Sequence, residues 1–221
     1  MKILDDFDIS PKNPELFEMA FMHKSYGVKH NINHDYERLE FLGDAILNMT
    51  VSEYLYKKYE DMGEGDLTKI RSNYVCEIAL ANYSHDLGLT NMIKLQLDES
   101  KVSANEVFSI SADVFESLIG AIYLDQGFEK TREFLSKTVF PAIDNEIVFF
   151  NDFKSKIKEY GDANELIVEY KIIRESGLPH DKTFVMGILV DGKEVGRGTG
   201  KSKKEAEQYA AQIAIKKLKI E

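Results

Sequence analysis

Through most of the first 150 positions, apolar residues recur at three- and four-residue spacing, the period of helices that each bury one face. That rhythm predicts helices over Pro14–Lys24, Tyr36–Tyr59, Asp66–Leu87, Ile110–Leu124 and Lys130–Glu146. Breaks fall at Gly63-Glu64-Gly65, at Gly88 and along the polar stretch Asp98–Glu106. After Asn151-Asp152 the period changes. A short Lys-rich helix, Phe153–Tyr160, leads to three strand-like runs, Leu166–Arg174, Thr183–Val190 and Lys193–Thr199, and then to a helix over Lys203–Leu218. Asp191-Gly192, between the second and third runs, is a two-residue hairpin signal. The predicted architecture is an all-α domain over residues 1–150, followed by a small α+β domain of order α-β-β-β-α over residues 153–221.

Composition narrows this picture. With 221 residues, 43% of them hydrophobic, the chain can bury one large core or two small ones. The opening Met-Lys-Ile-Leu-Asp-Asp-Phe-Asp has neither the basic start nor the apolar stretch of a secretory signal, and no apolar run approaches membrane-spanning length. A soluble, cytoplasmic protein without a membrane partner is expected. Cys76 is the only cysteine, which excludes an intramolecular disulfide or a Cys-based zinc site and suggests a buried structural thiol. The five histidines have no ligand spacing. The net charge of −10 conceals a division: residues 1–152 carry 14 Lys/Arg against 27 Asp/Glu, and residues 153–221 carry 14 against 11. An acidic part that concentrates metal ions, joined to a mildly basic part that contacts phosphates, fits this split, as does ordinary variation between domains.

The candidate chemistry lies in Glu37-Arg-Leu-Glu-Phe-Leu-Gly-Asp-Ala-Ile-Leu47. Glu37, Glu40 and Asp44 stand at i, i+3 and i+7, within an arc of about 60° on a helix. Leu39, Leu42, Ile46 and Leu47 form an apolar stripe beside them. Such a face is either a solvated acidic surface or a site whose repulsion is relieved by protonation, by a basic neighbour or by a hard cation. A second segment, Ile110–Leu124, favours the site, because Asp113 and Glu116 interrupt an otherwise apolar helical run where unpaired charge is costly. If the two helices pack face to face, Glu40, Asp44, Asp113 and Glu116 converge as oxygen-only ligands, suited to Mg²⁺ or Mn²⁺ and poor for Zn²⁺.

In the C-terminal part, Gly198–Ala211 places a turn, Ser202 as a helix cap, and Lys201, Lys203 and Lys204 at a helix start. Cations there oppose the helix dipole, which argues for an anionic partner such as phosphate. His180, in the loop Gly177–Phe184, either reads a groove or caps a turn.

Taken together, these motifs resemble bacterial ribonuclease III. Residues Glu37–Leu47 are similar to its signature, with His23-Lys-Ser-Tyr26 upstream and Glu64–Arg71 and Ala112–Leu124 downstream. The C-terminal part resembles a double-stranded RNA-binding domain through Gly177–His180 and Lys203–Ala206. The resemblance covers nearly the whole chain. It implies a homodimeric endonuclease that cuts double-stranded RNA to 5′-phosphate and 3′-hydroxyl ends with short 3′ overhangs, acts on rRNA precursors and mRNA, and needs Mg²⁺, with Mn²⁺ able to substitute, but no organic cofactor. By matching position it implies Glu40, Asp44, Asp113 and Glu116 as metal ligands, Asp44 and Glu116 most directly, and Glu37 and Glu64 as accessory catalytic acids. It implies RNA contacts at Lys158, Glu159, His180, Lys201, Ser202, Lys203 and Lys204. Phe41 becomes a dimer contact, against the alternative of a core aromatic within its own subunit. Three positions depart from the pattern. Tyr36 stands where Asn is common, Lys158 where Gln often touches the minor groove, and Gln96–Glu99 where a Gly-rich turn with Glu is usual. Asp35 is placed to take over helix capping before Glu37. The competing reading is a catalytically silent double-stranded RNA-binding protein, although such proteins typically lose the acids that are all present here.

Overall fold

The computed structural model describes residues 2–96, 104–149, 153–178, 181–200 and 202–220. The chain divides into two compact units, Met1–Phe150 and Asn151–Glu221.

The first unit is helical: α1 (Lys2–Asp5), α2 (Pro14–Ala20), α3 (Lys24–His30), α4 (Glu37–Lys58), α5 (Glu64–Tyr74), α6 (Glu77–Asp86), α7 (Ala104–Gln126), α8 (Phe128–Thr138) and α9 (Phe140–Asp144). Its centre is α7, whose Val114, Phe115, Leu118, Ile119, Ala121 and Ile122 are fully buried. A helix apolar on nearly every side needs neighbours around it. α4 supplies one with Leu39, Ile46, Leu47, Val51 and Leu55, each such buried side chain contributing about 1.5–3 kcal/mol. By length and composition alone, Glu106–Gln126 of α7 would pass for a membrane span, which corrects the expectation that no run was long enough; 61% of that window is buried inside the fold, as in a core helix.

Two of the predicted helices are each broken in two, and a third stops short. Pro14–Lys24 turns at Phe21–His23, where Lys94 N–H donates to Phe21 O (2.7 Å) and His23 N–H to Lys94 O (3.1 Å) before α3 begins. Asp66–Leu87 breaks at Val75-Cys76, so that Tyr74 and Tyr83 both meet Phe149, with ring centroids 6.3 and 5.2 Å away. Cys76 is half-buried rather than buried, and its thiol donates to Asn73 O at 3.4 Å. Lys130–Glu146 breaks at Val139, just before Pro141 in the first turn of α9, where the missing N–H costs nothing.

The second unit holds α10 (Phe153–Ala163), β1 (Val168–Leu178), β2 (Asp181–Val190), β3 (Lys193–Gly200) and α11 (Lys203–Leu218). The strands form an antiparallel sheet in the order β1-β2-β3. Asp191 (φ 48°) and Gly192 (φ 75°) both take the left-handed conformation that a tight type I′ hairpin requires. Ile157 of α10, Ile188 of β2 and Ala210, Ala211, Ala214 and Ile215 of α11 make the core. The alanine face lets α11 lie directly on β3: a Cβ at Gly198 would stand 2.3 Å from Ala206 O.

Candidate active site

The two acidic segments meet where α4 crosses α7 with almost nothing between the backbones. A Cβ on Gly43 would lie 1.8 Å from Glu116 O, and one on Gly120 would lie 2.3 Å from Leu39 O, so only hydrogen fits at either place. Gly43 sits between Glu40 and Asp44 in sequence. The contact that buries it therefore sets both acids against Asp113 and Glu116 of α7. Their electrostatics register this proximity. Burial first, and then the charges of Asp44, Glu40 and Asp113, push the Glu116 carboxyl up from 4.5 to about 8. Burial, followed by Asp113, Glu37 and Asp44, raises Glu40 to about 7. Asp113 is also raised, chiefly by burial, against the opposing pull of a hydrogen bond from Tyr36.

Both aspartates receive a neutral donor. Tyr36 Oη donates to Asp113 Oδ2 at 3.0 Å, and Asn48 Nδ2 donates to Asp44 Oδ1 at 2.6 Å. Glu37 is exposed and pairs with Lys24 at 3.2 Å. Asp35 Oδ1 accepts the Glu37 N–H at 3.0 Å, which starts α4 as the sequence suggested. Glu64 stands apart. It lies exposed in the first turn of α5, accepts a hydrogen bond from Thr68 Oγ1 at 3.2 Å, and is not among the principal charges acting on Glu40, Asp113 or Glu116.

Among the described residues, no group of three or more His, Cys, Asp or Glu side chains is drawn together closely enough to hold a metal ion as it stands. The four acids expected to converge act on one another as a cluster coupled through its charges. The donor set fits a hard divalent cation: it is all oxygen, and the carboxyls of Glu40, Asp113 and Glu116 stay raised although His23 lies near enough to oppose the rise at Asp113 and Lys24 pairs with Glu37 at the edge.

Phe41 points away from this crossing and is 80% exposed, which removes the core-aromatic alternative. It borders a surface cavity of about 820 Å³ lined also by Leu16, Met19, Arg38, Leu42 and Leu124. In the second unit, Lys158 and Glu159 lie exposed on α10. Ser202 Oγ accepts the Glu205 N–H at 3.1 Å and caps α11, with Lys203 and Lys204 exposed in the first turn. Lys203 Nζ stands 5.9 Å from the centre of the Phe184 ring. His180 and Lys201 lie outside the described residues, as do positions 97–99 of the Gln96–Glu99 departure.

The sequence reading gave no role to Gly43, Gly120, Asn48 or His23. A usable signal for Gly43 was a glycine standing among acids in a strongly periodic helix, which implies close backbone approach.

A family model described as Ribonuclease-III-like matches residues 13–143, and one described as a double-stranded RNA binding motif matches residues 153–218. Relatives agree with both. A ribonuclease 3 of Anoxybacillus flavithermus is 44% identical over 212 residues, spanning 94% of this chain and 89% of the relative. One from Listeria monocytogenes is 43% identical over 211 residues, 94% and 92% respectively. The chain belongs to the ribonuclease III family. The nuclease domain of ribonuclease III from Campylobacter jejuni, 35% identical and covering 62% of this chain and 94% of its own, has the helical fold with a TM-score of 0.57. As a ribonuclease III with a double-stranded RNA-binding domain, the chain is a double-strand-specific endoribonuclease.

Proposed function

We propose that Glu40, Asp44, Asp113 and Glu116 hold the Mg²⁺ on which cleavage depends, with Mn²⁺ able to replace it, Asp44 and Glu116 as direct ligands, and Glu37 and Glu64 as accessory acids. The observation that supports this is the uncompensated crowding at the α4–α7 crossing, which lifts Glu116 to about 8 and Glu40 to about 7. A divalent ion bound there supplies Lewis acidity toward the phosphodiester and charge for the developing oxyanion. The residues do the rest. Until an ion arrives, the Glu116 carboxyl holds a proton near neutral pH and releases it when positive charge enters. The acids orient a water for in-line attack, and no side chain needs to act as nucleophile. Attack with departure of the 3′ oxygen gives 5′-phosphate and 3′-hydroxyl ends, and staggered cuts leave short 3′ overhangs.

The second domain recognises A-form shape through phosphates and the minor groove. Lys201, Ser202, Lys203 and Lys204 at the start of α11 approach phosphates, His180 the minor groove, and Lys158 and Glu159 the duplex from α10. The enzyme works as a homodimer in which Phe41 enters the partner's cavity. Its 80% exposure beside that cavity supports this, and the Campylobacter jejuni structure is described as flexible in a region involved in dimer formation. Its substrates are rRNA precursors and mRNAs in the cytoplasm, and water attack calls for no organic cofactor. Retention of every acid weighs against a binding-only protein.

A long RNA duplex incubated with the protein in Mg²⁺ and in EDTA tests this reading. Cutting is expected in Mg²⁺ alone, and Glu116→Gln should bind the duplex without cutting it. Intact RNA in both wild-type lanes would favour the binding-only protein. Joint loss of binding and cutting in Glu116→Gln would make Glu116 structural.

A further inference from the structure

Tyr36 reaches from the N-terminal cap of α4 across to α7. Its side chain is 3% exposed, and its hydroxyl donates to Asp113 Oδ2 at 3.0 Å, a contact between residues 77 positions apart. The ring is fixed on its other side. Tyr36 N–H donates to Met22 O at 3.0 Å, and the His23 ring lies beside it at 5.8 Å. His23 is itself held: its N–H donates to Lys94 O at 3.1 Å, and its Nδ1 accepts the Ser25 N–H at 3.2 Å. Ser25 Oγ in turn accepts the Gln96 N–H at 3.2 Å. The motif His23-Lys-Ser-Tyr26 thus supports the ring that carries the hydroxyl.

We propose that Tyr36 is a positioning residue, holding the Asp113 carboxylate in the orientation that receives the divalent ion; this rests on the metal site proposed above. The choice of donor matters. A Lys or Arg in this place would neutralise Asp113 and compete with an incoming cation, whereas a phenol fixes one carboxylate oxygen and leaves the negative charge intact. Burial and the adjacent Asp113 charge both favour the protonated phenol, so it remains a donor. Asn48 stands in the same relation to Asp44, again as a neutral donor. Hydrogen bonds behind a ligating carboxylate orient it, and their loss commonly weakens metal affinity.

The test is Mn²⁺ titration by calorimetry on the full chain without RNA, for wild type, Tyr36→Phe, Asp113→Ala and the double variant. Phe fills the same buried space, and melting curves in EDTA show whether the fold persists. Tyr36→Phe should weaken Mn²⁺ binding about tenfold, with duplex affinity in EDTA unchanged. In the Asp113→Ala background the same substitution should cost nothing further, because the carboxylate that the hydroxyl orients is gone, whereas a general loosening would cost the same in both backgrounds. A loss below about threefold, or an equal loss in both backgrounds, overturns the positioning role. If wild type binds no Mn²⁺, or Asp113→Ala binds it as wild type does, the metal-site reading itself fails. If Asp113→Ala weakens binding and Tyr36→Phe does not, only the role of Tyr36 fails.

Discussion

Glu116→Gln should make the metal-free protein more stable above neutral pH, even as it destroys the reaction. The Glu116 carboxyl rises from 4.5 in the free side chain to about 8 in the fold. Below pH 4.5 folded and unfolded chains both keep the proton, and the group does not affect stability. Between 4.5 and about 8 the unfolded chain releases the proton while the folded chain retains it, so stability falls as pH rises. At pH 7.5 the gap is about three pH units, worth about 4 kcal/mol for the group taken alone. Glu40, Asp44 and Asp113 share that repulsion and relax when one charge leaves, which brings the net gain from Glu116→Gln to about 2 kcal/mol, or about 6 °C in melting temperature for a domain of this size. Thermal unfolding followed by circular dichroism in EDTA at pH 7.5 and at pH 5 measures it. At pH 5 the difference should shrink to below about 1 kcal/mol. Saturating Mn²⁺ should reverse the order, since wild type gains binding energy and the variant little. A variant that melts below wild type in EDTA at pH 7.5, or a difference independent of pH, refutes the reasoning.

Gly43→Ala places a methyl group 1.8 Å from Glu116 O and must force α4 from α7, so urea unfolding should show a loss of about 3 kcal/mol; an unchanged midpoint would mean the crossing is not tight. Phe41→Asp, at a side chain 80% exposed, should shift sedimentation toward monomer while leaving the helical circular dichroism intact, and an unshifted boundary removes Phe41 from the subunit contact. Neutralising Lys203 and Lys204 together should weaken duplex binding and reduce the slope of log affinity against log salt by about 2, whereas an unaltered slope takes both lysines out of the interface.

The helical positions of the acids were legible because a period of 3.6 is enough to gather Glu37, Glu40 and Asp44 on one face, and charge in an apolar run is enough to mark Asp113 and Glu116. The order α-β-β-β-α and the hairpin at Asp191-Gly192 were legible from alternation and turn chemistry. The helix ends were less so. Val75-Cys76 is apolar with nothing local to punctuate it, and the chain turns there because Tyr74, Tyr83 and Phe149 pack together, whereas the break at Val139 had a local signal in Pro141, which starts a new helix. Met22-His23 turns because it pairs with Lys94, 72 positions beyond Met22. Tyr36 looked like a departure from a motif, and its partner Asp113 lies too far along the chain for spacing to reveal. The outward direction of Phe41 was equally hidden, since position on a helix does not say which neighbours exist. Glu64, grouped with the other acids by motif, lies on a separate helix and is not among the principal charges acting on Glu40, Asp113 or Glu116.

Residues 36–44 leave α4 without an idle face. Tyr36 reaches α7, Gly43 touches its backbone, Glu40 and Asp44 line the cluster, and Phe41 looks outward. α7 carries a narrower set of duties, because its Asp113 and Glu116 reach the same cluster from a helix whose other side chains at that level are interior. Anyone wishing to convert this nuclease into a duplex-holding reagent should therefore edit α7 and leave α4 alone.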